Sequence, residues 1–326
     1  MRKALGLIGL LAGLIALSSV WEHAHLHHSN LKFFTPENLR NLASWIGLFG
    51  ILSLGQCLVI ITGGIDLSVG SVVALVSILA AFGVSRFHMS PWVAFPAALL
   101  LSALIGLWHG ALVTKVRMQP FVVTLCGLFL YRGIARLVSS DNTLGFSETI
   151  PGISWLSTGA ISGMQIPVPF VLFLGAAAIV GGFLHLTAPG RHLFAVGANE
   201  QSARFSGIAT DRVKITAYVL CSLLSGAAGL LFALKVQSMG PTNFGSFYEL
   251  YAIAGVVLGG CSLRGGSGNI LGVVVGAALI RVLNNLVIIL EIPSQLEYVV
   301  IGGAILVGVF VDEVFSRKSH STIASQ

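Results

Sequence analysis

RHLFAVGANEQSARFSGIATDRVK, residues 191–214, interrupts a chain that is otherwise close to continuous hydrocarbon. It carries four basic residues, Arg191, Arg204, Arg212 and Lys214. Its centre reads as a short helix: Asn199 is a good N-cap, Glu200 sits favourably in the first turn, and Gly207 is a natural stop. Phe205 and Ile208 are three apart and share a face, whereas Ala203 and Gly207 leave a small-residue face. A short surface helix between two membrane spans is a handle for a soluble partner; the competing reading is an ordinary charged loop.

The flanks fix the class. The 326 residues are 55% hydrophobic and only 9% charged, with mean hydropathy +0.92. Such a composition belongs to an integral membrane protein. The net charge of +6 does not point to nucleic acid, because the basic residues are scattered at loop edges. Cys57, Cys126, Cys221 and Cys261 fall in apolar segments with no metal-ligand spacing and read as small core residues. Arg2 and Lys3 precede an apolar run that reads as a first membrane helix rather than a secretory signal.

Apolar runs near residues 4–20, 44–62, 68–84, 91–113, 121–139, 167–187, 213–235, 249–263, 269–290 and 296–313 predict an all-α polytopic bundle of about ten spans, nine if the short eighth run fails to cross. With the N-terminus cytoplasmic, the inside loops hold eleven basic residues and the outside loops four: Lys32, Arg40, Arg86 and Lys235. That bias places both termini and the 188–212 segment in the cytoplasm. Trp21, Trp45, Trp92 and Trp155 fall near the outer boundary. Gly106-x-x-x-Gly110, Ser225-x-x-x-Gly229, Gly255-x-x-x-Gly259 and Gly272-x-x-x-Gly276 predict close helix contacts. A weak internal repeat sets residues 42–139 against 213–313, with His109-Gly110 against Asn284-Asn285. Five spans of displacement is odd, so the halves are inverted, a transporter signature. The chain reads as one transmembrane domain, 1–326.

Polar residues inside the spans are the pathway candidates: Gln56, His109, Arg132, Arg281, Asn284 and Asn285. Arg132 and Arg136 are near a span end and are expected to snorkel. The amides either bond between helices or face water. In TGGIDLSVG, residues 62–70, Asp66 or Ser68 would cap the third helix, and Gly63, Gly64 and Gly70 would permit a tight turn. The functional alternative for Asp66 is a proton or cation site. GGCSLRGGSG, residues 259–268, lacks the Lys-Ser/Thr ending of a phosphate loop and reads as a helix break or tight turn. His23, His25, His27 and His28 crowd the first outer loop without fixed ligand geometry, so no metal is assigned. Nothing suggests an enzyme or a cofactor.

Together, GGIDLSVG (63–70), QPFVVTL (119–125) with YRGIA (131–135), Gly197-x-Asn-Glu-x-Ser-Ala-Arg-Phe-Ser-Gly-Ile208 and the 259–268 run followed by Leu283-Asn-Asn resemble the permease subunits of ABC importers for ribose and related sugars. The resemblance covers about 41–312. It implies a ten-span subunit of the bacterial inner membrane that pairs with a second permease subunit, receives sugar from a periplasmic solute-binding protein, and docks a separate ATPase on a cytoplasmic coupling helix. That last role falls on Asn199, Glu200, Ala203, Arg204, Phe205, Ser206, Gly207 and Ile208. His109 stands where the family more usually has Asn. The same fold class also admits an ion-coupled secondary transporter working through Asp66, or an ABC permease for branched-chain amino acids.

Overall fold

The computed structural model describes residues 32–146, 152–161, 163, 165–296 and 298–300, with isolated positions between 6 and 20 and between 302 and 306. The runs at 4–20 and 296–313, like the His23–His28 cluster, lie outside the described residues or nearly so. The long helices are α1 (Pro36–Ile61), α2 (Val69–Phe87), α3 (Pro91–Thr114), α4 (Pro120–Ser139), α6 (Val168–Leu186), α9 (Thr210–Val236) and α11 (Ile270–Ile289). All seven are long and apolar enough to cross a membrane. Between them lie α5 (Trp155–Thr158), a two-residue antiparallel hairpin of β1 (Ala160–Ile161) and β2 (Ile166–Pro167), α7 (Ala188–Ala198), α8 (Glu200–Phe205) and α10 (Tyr248–Leu258). The chain is thus an all-α polytopic bundle with one minimal hairpin.

The sequence punctuates these elements. Pro36, Pro91 and Pro120 open α1, α3 and α4, where a missing N–H costs nothing. The Thr35 hydroxyl accepts from Asn38 N–H as the cap of α1. The eighth apolar run ends early, at Leu258 rather than 263, because Gly259 and Gly260 turn the chain out of the helix.

α1 is the axis of the bundle, 89% buried over its apolar window, and α6, α9, α10 and α11 pack on it. α4 is only 28% buried in the same sense and forms part of the rim. Rim side chains such as Leu100, Leu104, Phe129, Leu130 and Leu137 point outward, as a lipid-facing surface requires. Lipid gives no hydrophobic drive for helices to associate, so the small-residue stripes do that work through close contact. A Cβ on Gly106 would come within 2.6 Å of Val219 Cα on α9, and one on Gly110 within 2.7 Å of Ile215 Cα. Gly255 and Gly259 meet Gly272, Gly276 and Ala277 on α11 in the same way.

One end of the bundle carries α7 and α8. There the Gly266 N–H donates to the Ile61 carbonyl, and Lys115 pairs with Asp211 at 2.9 Å. At the opposite end Leu144 and Met239 exchange backbone hydrogen bonds, Lys32 meets Glu291 at 3.1 Å, and Asn38 and Asn285 exchange side-chain amide bonds at 2.7 and 3.1 Å.

Candidate functional site

Two helices are broken inside the bundle, and the breaks meet. The first break is residues 62–68. After Ile61 the chain does not turn at the bundle end but doubles back along α1. The Gln56 side-chain amide donates to the Asp66 carbonyl at 3.2 Å and accepts from the Asp66 N–H at 3.1 Å. Gln56 lies five residues before the last residue of α1, about 7.5 Å back along the axis. The Thr124 hydroxyl on α4 donates to the Ile65 carbonyl at 3.1 Å, and the Tyr218 phenol of α9 lies over Gly64. Unwound backbone at this depth persists only because such side chains satisfy it.

Asp66 is the chemical centre of this break, 1% exposed. Its Oδ1 accepts from the Ser68 N–H at 2.9 Å and the Ser68 hydroxyl at 2.6 Å, closing a turn just ahead of α2. Oδ2 faces His109 Nδ1 at 3.8 Å, and His109 Nε2 lies 2.8 Å from the Tyr131 hydroxyl. A neutral imidazole serves both contacts in one tautomer: Nε2 accepts from Tyr131, and Nδ1–H faces the carboxylate. Carboxylate, imidazole and phenol thus run in a line from the break, through α3, to α4. Gln56, Asp66, Ser68 and His109 come together as one buried group, whereas Asn285 pairs with Asn38.

The second break is residues 237–247. It enters from the opposite end, where Met239 pairs with Leu144, and reaches Gly245 in the interior. Gly70 and Gly245 lie backbone against backbone: a Cβ on either would strike the other's carbonyl oxygen. Gly70 also faces the buried Glu249 carboxylate in the first turn of α10. Of the three glycines expected to permit a tight turn, Gly63 does so, with φ +82°, whereas Gly64 and Gly70 are needed for close approach. Arg132 does not snorkel. Its guanidinium donates to the carbonyls of Pro241 (3.2 Å) and Phe244, while Arg136 binds Asp141 through two contacts at 2.6 and 3.0 Å.

At the α8 end the short helix forms as its residues dictate. Asn199 Oδ1 accepts from the Ser202 N–H at 2.9 Å, and Gly207 ends the helix with φ +82°. Glu200 pairs with Lys214 at 2.5 Å, and Arg204 bonds Thr210 at 3.0 Å and lies 3.4 Å from both Glu200 and Asp211. Phe205 is 83% exposed, beside Ser206 and Gly207 in the open, while Ile208 is half-buried. The expected small-residue face is corrected: Ala203 is buried and roots the helix, and a Cβ on Gly207 would meet nothing within 4 Å. Cys126 is likewise exposed rather than a core residue, whereas Cys57 and Cys261 lie buried with sulfurs 3.6 Å apart.

Sequence reasoning missed Glu249, Tyr218 and the tethering role of Arg132. Glu249 carried a usable signal, a lone carboxylate in an apolar run. The role of Tyr218 depends on a tertiary contact that no local pattern marks.

Comparison with known sequences agrees with this architecture. Residues 38–309 match the family described as "Branched-chain amino acid transport system / permease component", and the chain belongs to that permease family. It is 39% identical over 285 residues to the ribose import permease protein RbsC of Escherichia coli strain K12, covering 86% of this chain and 87% of that protein. The Bacillus subtilis strain 168 ribose import permease is 39% identical over 283 residues, 87% of each chain. The galactofuranose transporter permease protein YtfT of Escherichia coli strain K12 is 35% identical over 269 residues, 82% of this chain and 76% of that one. No solved structure matches the chain.

Proposed function

We propose that the chain is the permease subunit of a bacterial inner-membrane ABC importer that moves a monosaccharide or similar polyol into the cytoplasm. The sugar assignment rests on relatives named for ribose and galactofuranose import, against the wider amino-acid label of the family. The permease performs no bond chemistry. A separate ATPase subunit would switch it between outward- and inward-facing states, a solute-binding protein would deliver the sugar, and a second permease subunit would complete the pathway. The energy reaches the pathway only if the two states differ in their contacts with the ATPase.

Phe205 is the observation that carries the coupling assignment: a large apolar side chain held in the open on a capped helix anchored by ion pairs. Residues 188–212 then form the cytoplasmic docking face, with both termini on that side. The repeat reading of ten spans, with halves 42–139 and 213–313 in one domain, is supported by the breaks. In each half a long helix (α1, α9) is followed by an unwound segment and a helix starting in the interior (α2, α10), and the two segments enter from opposite ends. His109 and Asn284 each lie five residues before the last residue of the next helix, α3 and α11. The crossing of the breaks is the place where the pathway closes.

The test is reconstitution. The chain alone in sealed vesicles under a proton gradient is expected to accumulate no sugar. With the ATPase, the binding protein and ATP, it is expected to accumulate sugar. Uptake by the chain alone that a protonophore abolishes would establish the ion-coupled reading through Asp66 instead.

A further inference from the structure

We propose that Tyr131 and Arg132, consecutive residues of α4, hold both helix breaks shut from a single helix, and so are positioning residues for transport. This rests on the orientation and repeat proposed above. Tyr131 reaches the first break through His109 Nε2 at 2.8 Å, with His109 Nδ1 3.8 Å from Asp66. Arg132 reaches the second through the carbonyls of Pro241 and Phe244, which lie outside any helix. Consecutive residues on a helix project about 100° apart, so one short stretch of α4 serves two segments that arrive from opposite ends.

Three observations make α4 the moving part. It is the least buried of the long helices, at 28%, so displacing it disturbs the least packing. It is joined to the first break a second time by Thr124, whose hydroxyl donates to the Ile65 carbonyl. The Arg132 contacts are charge-assisted, stronger than neutral ones and lost together if the helix shifts. Between the two tethered segments, Gly70 and Gly245 touch through main chain alone, so either break can open when its own contacts to α4 are released.

Ser71, 1% exposed and one residue past Gly70, reports on the crossing. A Ser71→Cys chain with Cys57, Cys126, Cys221 and Cys261 replaced by Ala, co-expressed with its ATPase, is labelled by a membrane-impermeant maleimide in right-side-out and inside-out vesicles. The parent is expected to label slowly from both sides. Arg132→Gln should speed labelling from outside roughly tenfold, with Arg132→Lys recovering part of the protection, and should leave the inside rate unchanged. Tyr131→Phe should speed labelling from inside only. Equal acceleration from both sides is general loosening and overturns the tether, as does no change in either variant. Side-specific acceleration with the sides exchanged supports the tether and overturns the proposed orientation.

Discussion

Replacing Gln56 by Met tests the break at Asp66 most directly. Met fills nearly the same volume without a polar end, so the cavity contribution is small. What is lost is the pair of hydrogen bonds to the Asp66 backbone, 3.2 and 3.1 Å long, on a side chain that is 0% exposed. Asp66 lies in unwound chain, so its N–H and C=O have no helical partner to fall back on. Orphaning a buried polar group costs about 1–3 kcal/mol, which gives about 2–6 kcal/mol for two. Polar side-chain bonds in membranes average only about 0.6 kcal/mol, because the membrane-embedded unfolded chain also finds partners, so the lower half of that range is the better guide. We expect Gln56→Met to destabilise the protein by about 2–4 kcal/mol, or roughly 30-fold or more in the unfolding equilibrium. Equilibrium unfolding in lipid nanodiscs measures it. Ser68→Ala, which removes the hydroxyl contact to Asp66 but leaves the backbone contact, should cost less. A change below about 0.5 kcal/mol in Gln56→Met would show that water already reaches the Asp66 backbone, and the argument for a dry, side-chain-satisfied break would fail.

Two further outcomes follow from other parts of the fold. Gly207→Asp should insert and fold, because its Cβ meets nothing within 4 Å, but should lose transport and co-purification with the ATPase; Gly207→Asn, which tolerates the +82° φ without adding charge, should lose less, and full transport by the Asp variant would remove this surface from the docking role. Asn38→Leu and Asn285→Leu should each destabilise by about 1 kcal/mol and the double variant by less than their sum, as a double-mutant unfolding cycle would read; strict additivity would show that the two amides do not act as a pair.

Much of this architecture is written in local pattern. The apolar runs mark the described spans within three residues at each end, except the eighth and the second, whose helix starts eight residues before the apolar run, at Pro36; Asn199 and Gly207 delimit α8 by rules that need no tertiary information. The site is less legible. GGIDLSVG looks like a reversal at the membrane surface, yet the chain climbs back inside, because Gln56 and Thr124 on two helices satisfy it there while Tyr218 packs over Gly64. Their spacing in sequence encodes none of that. Arg132 near a span end fits snorkelling equally well until the position of residues 241–244 is known. Asn285 shows the opposite case: an amide among hydrocarbon does need a partner, and Asn38 supplies one.

The contact between Gly70 and Gly245 has a consequence for how such a transporter changes its diet. Where the two breaks cross, main chain bars main chain, with hydrogen atoms alone between them. If the pathway closes at this crossing, as proposed, preference among solutes can drift through substitutions at neighbouring walls without loosening the main-chain contact, with the Glu249 carboxylate beside Gly70 the one side chain both functions would share. On the same proposal, a methyl group added at either glycine would push the two main chains apart and loosen the crossing, whatever the walls prefer.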